Sequence, residues 1–389
     1  MRFGSYGRMV LAAAMLLCCG TESGHAGASE VLAPGYRPAP DTEEGGLWAQ
    51  MDRQEAELKV SPALVTDEAL NTYVRKIVCE LAGDYCASLR VYIVDEANSN
   101  AFTAPNGMVV VWTGLLLRCQ NEAELAFVLG HEITHYLKRH SLLNLQKEIQ
   151  TNGSFAGLTA AGGIGRLFEQ VAAGRIASHS RDQEREADAG GFDLVVDKGY
   201  DPGQGAFFMA NTAEEEEANP NRTKQAAYRA SHPDMKERLT VLTKRADDIG
   251  AQPHANIVGA EAYRAAIGPH RAAWLEEEFN RGEFAESVAM IKQLMKDEPQ
   301  SGELQYYLGE AYRRRNANGD LKNAMTAYQA AIAAKDAPNA AHRGLGLVSL
   351  KANQKTAARD EFQKYLSLVP MASDRATVEY YLATMGGSP

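Results

Sequence analysis

From Thr66 the apolar positions Leu70, Tyr73, Val74, Ile77, Val78 and Leu81 recur at three- and four-residue spacing. That rhythm predicts an amphipathic helix, with Thr66 as its N-cap. Leu89 to Val94 is rich in β-formers and reads as a strand. Met108 to Trp112 reads as a second, entered through the turn Pro105-Asn106-Gly107. Beyond it the pattern becomes helical. Asn121 and Glu124 stand at capping-box spacing, and Leu125, Val128, Leu129 and Ile133 form one apolar stripe. Residues 152–178 are rich in Gly and Ala, and glycine interrupts them too often for a bilayer-crossing helix. A further helix is expected from about Arg181 to Lys198, stopped by Gly199.

The segment from Arg271 onward changes character. Pro299, Pro338 and Pro370 each close a pair of short helical patterns, and Gly282, Asn318-Gly319 and Asn353 fall midway through each pair. Leu308-Gly309 is echoed by Leu345-Gly346, and Ala324 with Tyr328 by Ala358 with Phe362. Ala358 follows Ala324 at the ~34-residue period of tetratricopeptide repeats. Two to three helical hairpins are expected, closed by a capping helix around Thr377–Thr384. They would form an all-α solenoid of stacked repeats.

At the other end, Arg2 and Arg8 precede an apolar run from Met9 to Leu17, and Ala26-Gly27-Ala28 offers a small-x-small cleavage site. Residues 1–28 thus read as an export signal. Cys18 and Cys19 would suit a lipoprotein signal, but the residue before either, Leu17 or Cys18, is not the small one such signals carry. Residues 29–42, with three prolines and little period, read as a linker. The expected division is then 43–268 for a catalytic domain and 269–389 for the repeats. Forty Lys+Arg against fifty Asp+Glu give a formal charge of −10, and removal of Arg2, Arg8 and Glu22 takes it to −11. That balance argues against a nucleic-acid binder, which needs a basic face. After the signal, no run is apolar enough for a transmembrane segment. In an oxidising compartment Cys79 and Cys86 are near enough in sequence to close a small disulfide loop, leaving Cys119 as a buried thiol.

One motif carries the chemistry: His131-Glu132-Ile133-Thr134-His135, inside a convincing helix. Residues at i and i+4 share a face, so both imidazoles can reach one cation. Imidazole nitrogen is a good zinc ligand, and a catalytic zinc takes three protein ligands and keeps one position open. Glu132 lies about 100° around the helix, beside the metal, where it can take a proton from the attacking water. Metzincins would place Gly and His where this chain has Lys138 and Ser141. His140 would fall on the opposite face of a straight helix and is expected at the surface. A third ligand is instead sought in Ser180 to Asp188, where Glu184 and Asp188 share a helical face. One can bind metal while the other braces a ligand histidine. The acidic run Glu214 to Glu217 reads as a solvated segment.

His-Glu-x-x-His followed by Ser-Arg-x-x-Glu-x-x-Ala-Asp resembles the HtpX and CAAX-prenyl-protease type of zinc metallopeptidase. The likeness runs from about Val60 to Leu242. It implies an α+β zincin-like (gluzincin) metalloprotease domain, mostly helical with a small sheet, holding one Zn2+ per chain. Glu184, and not Glu186, corresponds to the family's third ligand, with Asp188 behind it. Asn100-Ala101-Phe102 corresponds to the edge strand that binds the substrate backbone. His232, with Arg238 six residues on, matches a further motif near the active site. Arg238 or His232 would steady the oxyanion while Glu132 serves as general base.

An exported catalytic domain with repeats behind it is similar to the family's periplasmic protease-chaperones of outer-membrane protein assembly. There a histidine matching His232 acts as a regulatory plug, which makes His232 a fourth ligand. The resemblance implies a periplasmic endopeptidase of misfolded or stalled envelope proteins. Its partners would be such unfolded polypeptides and, through the repeats, the β-barrel assembly machinery. The rival reading is an assembly chaperone or adaptor with a mostly latent site.

Overall fold

The structure, a computed structural model, describes residues 32–152, 179–220, 227–232, 235–250 and 256–386. The expected export signal and residues 153–178 of the Gly/Ala-rich stretch lie outside them. Helix α1 (Glu43–Leu58) begins at Thr42, whose hydroxyl accepts from the Gly45 amide. The expected linker is, over residues 32–42, a mostly exposed strap anchored at two points: Leu32 is buried and donates its amide to the Leu137 carbonyl, and Tyr36 meets the edge of Trp48. Isolated anchors between prolines have no period by which to be recognised.

Helix α2 (Glu68–Ala82) is capped by Asp67, which accepts from the Leu70 amide, one residue beyond the expected Thr66. Cys79 and Cys86 are disulfide-bonded across the short 3-10 turn that follows, and Cys119 is free and buried. Three strands come next: β1 (Arg90–Val94), β2 (Ala101–Thr103) and β3 (Met108–Trp112), in the order β1-β3-β2. β1 runs parallel to β3, Val94 beside Trp112, while β2 is antiparallel to it, Ala101 beside Val111. Val109 and Val111 face the core that holds α2. Met108, Val110 and Trp112 face a second cluster with Leu47 and Met51 of α1. Burial on both faces explains why β3 is apolar throughout. Gly107 starts this strand at φ +84°, where a Cβ would fall 2.2 Å from the Ser88 carbonyl oxygen, so glycine is required.

Helices α3 (Thr113–Arg118), α4 (Glu122–Leu137) and α5 (His140–Asn152) follow. They are joined by α6 (Arg181–Asp197), α7 (Gly203–Glu217), α8 (Ala227–Ser231) and α9 (Met235–Gly250). α4 and α6 touch backbone to backbone. A Cβ on Gly191 would sit 2.7 Å from the His131 amide nitrogen, so the glycine permits the contact that brings α6 to the histidines. The run Glu214 to Glu217 ends α7; Glu214 and Glu217 are exposed as expected, whereas Glu215 is buried against Arg118.

The repeat region comprises α10 (Ala260–Asn280), α11 (Phe284–Asp297), α12 (Gly302–Arg315), α13 (Asp320–Ala333), α14 (Ala340–Lys351), α15 (Lys355–Leu368) and α16 (Arg375–Gly386). Its turns coincide with the prolines, glycines and asparagines read as breaks. The expected boundary at 268/269 falls inside α10, which continues through Pro269. One apolar core joins Leu70 and Phe127 to Tyr263, Trp274 and Tyr328. No helix of the described residues is long and apolar enough to cross a membrane.

Candidate metal centre

Asn121 caps α4 by accepting from the Glu124 amide, and the helix is buried from Ala123 to Tyr136. His131 and His135 therefore enter the interior one turn apart, their Nε2 atoms 2.9 Å from each other. Ser180 caps α6 in a capping box with Gln183, which fixes the first turn that carries Glu184. Glu184 Oε1 lies 3.4 Å from His135 Nε2, and Oε2 lies 3.7 Å from His131 Nε2. His232, just past α8, brings Nδ1 to 3.2 Å from both His131 Nε2 and Glu184 Oε1. These four buried residues present ligand atoms all within 4.8 Å of one another. A small cation with bonds of about 2.1 Å in a tetrahedral site spaces its ligand atoms by about 3.4 Å, so the donor set fits one.

Burial and neighbouring charges keep His131, His135 and Glu184 in ligating form. Burial lowers the pKa of His131 and drives that of His135 far down, holding the imidazoles neutral. Burial alone would raise the Glu184 carboxyl, but His232 and Arg238 beside it hold it well below its usual range. Asp188 Oδ1 stands 3.0 Å from His131 Nδ1. Arg238 donates from Nε and Nη2 to the two Asp188 oxygens, both at 2.7 Å, and its Nη1 lies 2.6 Å from Glu184 Oε2. Nη1 also reaches the His232 carbonyl at 3.4 Å. All three Arg238 nitrogens thus lie against other groups, a bracing arrangement that departs from the oxyanion donor expected. Spacing along a chain cannot tell which acceptors a buried guanidinium will find.

Glu132 is 1% exposed, hydrogen-bonded by the Thr103 main chain, with Oε1 3.4 Å from His232 Nε2. Neither of those two facing atoms completes a well-formed hydrogen bond. Burial pushes the Glu132 carboxyl up to about 7, with His232 opposing the shift. Asn100, Ala101 and Phe102 are all buried here; Ala101 and Phe102 belong to β2, and Asn100 Oδ1 accepts from Ser231 at 3.4 Å. The segment carrying His232 therefore covers the start of that strand. Tyr228 steadies the segment, its carbonyl accepting the His232 amide and its ring 4.7 Å from the imidazole.

Three residues near the centre escaped the sequence reading. His140, expected at the surface, is 2% exposed, with Nδ1 2.9 Å from His135 Nδ1. α4 does not run straight on: Arg139 turns the chain at φ 60° and folds His140 back. His140 Nε2 lies 3.2 Å from Glu186 Oε2. His179 stacks on His135 with ring centroids 3.6 Å apart. A third histidine five residues after His135 was the available signal, but straight-helix geometry pointed it outward.

Residues 66–246 match peptidase family M48, and residues 273–337 and 317–373 match tetratricopeptide repeats. The chain is similar to a putative beta-barrel assembly-enhancing protease of Vibrio cholerae, 26% identical over 64% of this chain and 54% of that one. It is also similar to the mitochondrial metalloendopeptidase OMA1 of Arabidopsis thaliana, 31% identical over 40% of this chain and 31% of that one. The metalloprotease LoiP of Escherichia coli is 30% identical over 40% of this chain and 61% of its own length. The chain spans about half the length of the first of these relatives. With its paired histidines on one buried helix and Glu184 on the next, the chain carries a peptidase family M48 domain over residues 66–246, followed by tetratricopeptide repeats.

Proposed function

We propose that the chain is a periplasmic zinc endopeptidase that hydrolyses misfolded or stalled outer-membrane polypeptides. The convergence of four buried donor atoms beside an unpartnered Glu132 oxygen carries this reading. His131, His135 and Glu184 would hold the zinc, and their spacing supports it. When bound, zinc supplies a Lewis acid that polarises the scissile carbonyl and favours water as a nucleophile at neutral pH. Glu132 accepts the proton of the attacking water at its buried carboxylate and passes it to the leaving nitrogen. Asp188 keeps the His131 proton on Nδ1, and Arg238 keeps both carboxylates in place. The substrate backbone pairs with β2 once the segment bearing His232 moves aside. The relatives named as beta-barrel assembly-enhancing proteases support β-barrel polypeptides as clients, with the repeats docking the barrel assembly machinery.

A second reading has its own observation. His232 puts one nitrogen among the ligands and the other against Glu132. That supports a resting, latched enzyme, and in the extreme a chaperone or adaptor whose protease site is mostly latent. Metal analysis with casein cleavage, before and after chelation, separates these. We expect about one zinc per chain and chelator-sensitive cleavage. Glu132→Gln should retain the zinc and lose cleavage by about 10²-fold or more. Equal proteolysis by this variant and the parent would remove Glu132 from the mechanism, and a chaperone function surviving the change would favour the adaptor.

A further inference from the structure

We propose that His140 is a positioning residue that holds His135 in its metal-binding tautomer, with Glu186 holding His140 in turn. The inference rests on the metal-site reading above. His135 aims Nε2 at the centre, 2.9 Å from His131 Nε2 and 3.4 Å from Glu184 Oε1. A neutral imidazole can offer a lone pair there only if its proton sits on Nδ1. That Nδ1 faces His140 Nδ1 at 2.9 Å, so His140 must accept at this atom. Its own proton then sits on Nε2, which lies 3.2 Å from the Glu186 carboxylate. A carboxylate only accepts, so the chain of bonds runs one way: His135 to His140 to Glu186. With the proton of His140 on Nδ1 instead, the His135 proton would be driven onto Nε2, where it blocks ligation. Glu186 would at the same time face a lone pair.

The pair of ligand histidines is therefore oriented by two different devices. His131 meets Asp188 directly at 3.0 Å, whereas His135 reaches its carboxylate through a second imidazole. The fold supports the longer route. Arg139 makes the left-handed corner that returns His140 to His135, and Glu44 of α1 ties the Arg139 side chain. Lys138 holds Glu186 through an oxygen 2.6 Å away. His179 lies flat on the His135 ring, and the Asn144 amide reaches His179 Nδ1 at 3.0 Å, which fixes the plane of the stack. Partners of this kind raise ligand basicity as well as orienting the ring.

The test is zinc affinity of the full chain, measured by competition with a chelating indicator, alongside the melting temperature of the metal-free protein. His140→Leu keeps the bulk and removes the acceptor; zinc affinity should fall about 10- to 100-fold. His140→Asn puts an amide oxygen where Nδ1 was and should restore most of that loss. Glu186→Leu, at an exposed position, should weaken binding in the same direction by less. Parent-like zinc affinity of His140→Leu, or equal weakening by Leu and Asn, overturns the inference. Should His140→Leu not fold, parent-like affinity of Glu186→Leu overturns it instead. Absence of zinc binding by the parent overturns the metal-site reading itself, which separates that failure from this one.

Discussion

His232 stands between the ligand cluster and Glu132, so its removal distinguishes two roles by sign. A latch that leaves raises basal cleavage, whereas a lost oxyanion donor lowers it. We expect His232→Ala to increase casein or self-cleavage while retaining zinc; slower cleavage with zinc intact would rule the latch out. Arg238→Ala should act the other way. It leaves Asp188 and Glu184 buried without their shared cation, and breaking such an arrangement costs about 3–5 kcal/mol. Zinc content and cleavage should therefore fall together, and parent-like zinc content would show that the brace is dispensable. His131, Glu132, His135 and the Glu184–Asp188 pair were readable because each group lies within one helix, where spacing is geometry. His140 was not, because a non-glycine residue in the left-handed region ended that regularity at Arg139.

At the scale of elements, the first turn of α4 contains a group whose charge opposes its surroundings. Glu124 accepts from the Gln120 amide and the Asn121 side chain, yet burial, with Asp297 adding to it, pushes its carboxyl up to about 8. The sign follows from the raised folded value. Folding takes up a proton between the ordinary pKa of about 4.3 and about 8. Stability from this group is present below the lower value and is lost as pH rises through the upper one. Glu124→Gln keeps a side-chain oxygen to accept from the Gln120 amide without the charge. Its unfolding free energy relative to the parent should climb from pH 5 to pH 8, by at most about 1.4 kcal/mol per pH unit. A pH-independent difference would overturn the assignment. Helix ends in the repeats were visible because Pro, Gly and Asn punctuate them. α1 and its strap were missed because their anchors pack across the chain on the sheet and on α4.

Across the whole molecule, a buried ionic network fastens the repeats to the M48 domain. Arg118 of α3 donates to Glu215 of α7 and Glu278 of α10, and Arg281 carries the chain on to Glu286 of α11. A cut at the expected boundary would remove Glu278 and strip Trp274, Leu275 and Phe279 from the shared core. A chain ending at residue 268 should melt below one ending at residue 300, which keeps α10 and α11. Equal melting temperatures would show that the network contributes little. Arg118→Ala should destabilise the full chain by about 3–5 kcal/mol in denaturant unfolding, since buried Glu215 loses its bidentate partner and keeps only Arg281 at 3.9 Å.

Local period and spacing determined helices α2, α4 and α6, the strands β1 and β3, the hairpin rhythm of the repeats, the HExxH face and the shared face of Glu184 and Asp188, because each depends on neighbours a few residues apart. Only the tertiary structure decided what meets across long separations: His140 and Glu186 behind His135, Arg238 on two carboxylates, Glu215 and Glu278 on Arg118. Those contacts are set by which buried charge finds which partner, and desolvation selects such pairs irrespective of distance along the chain.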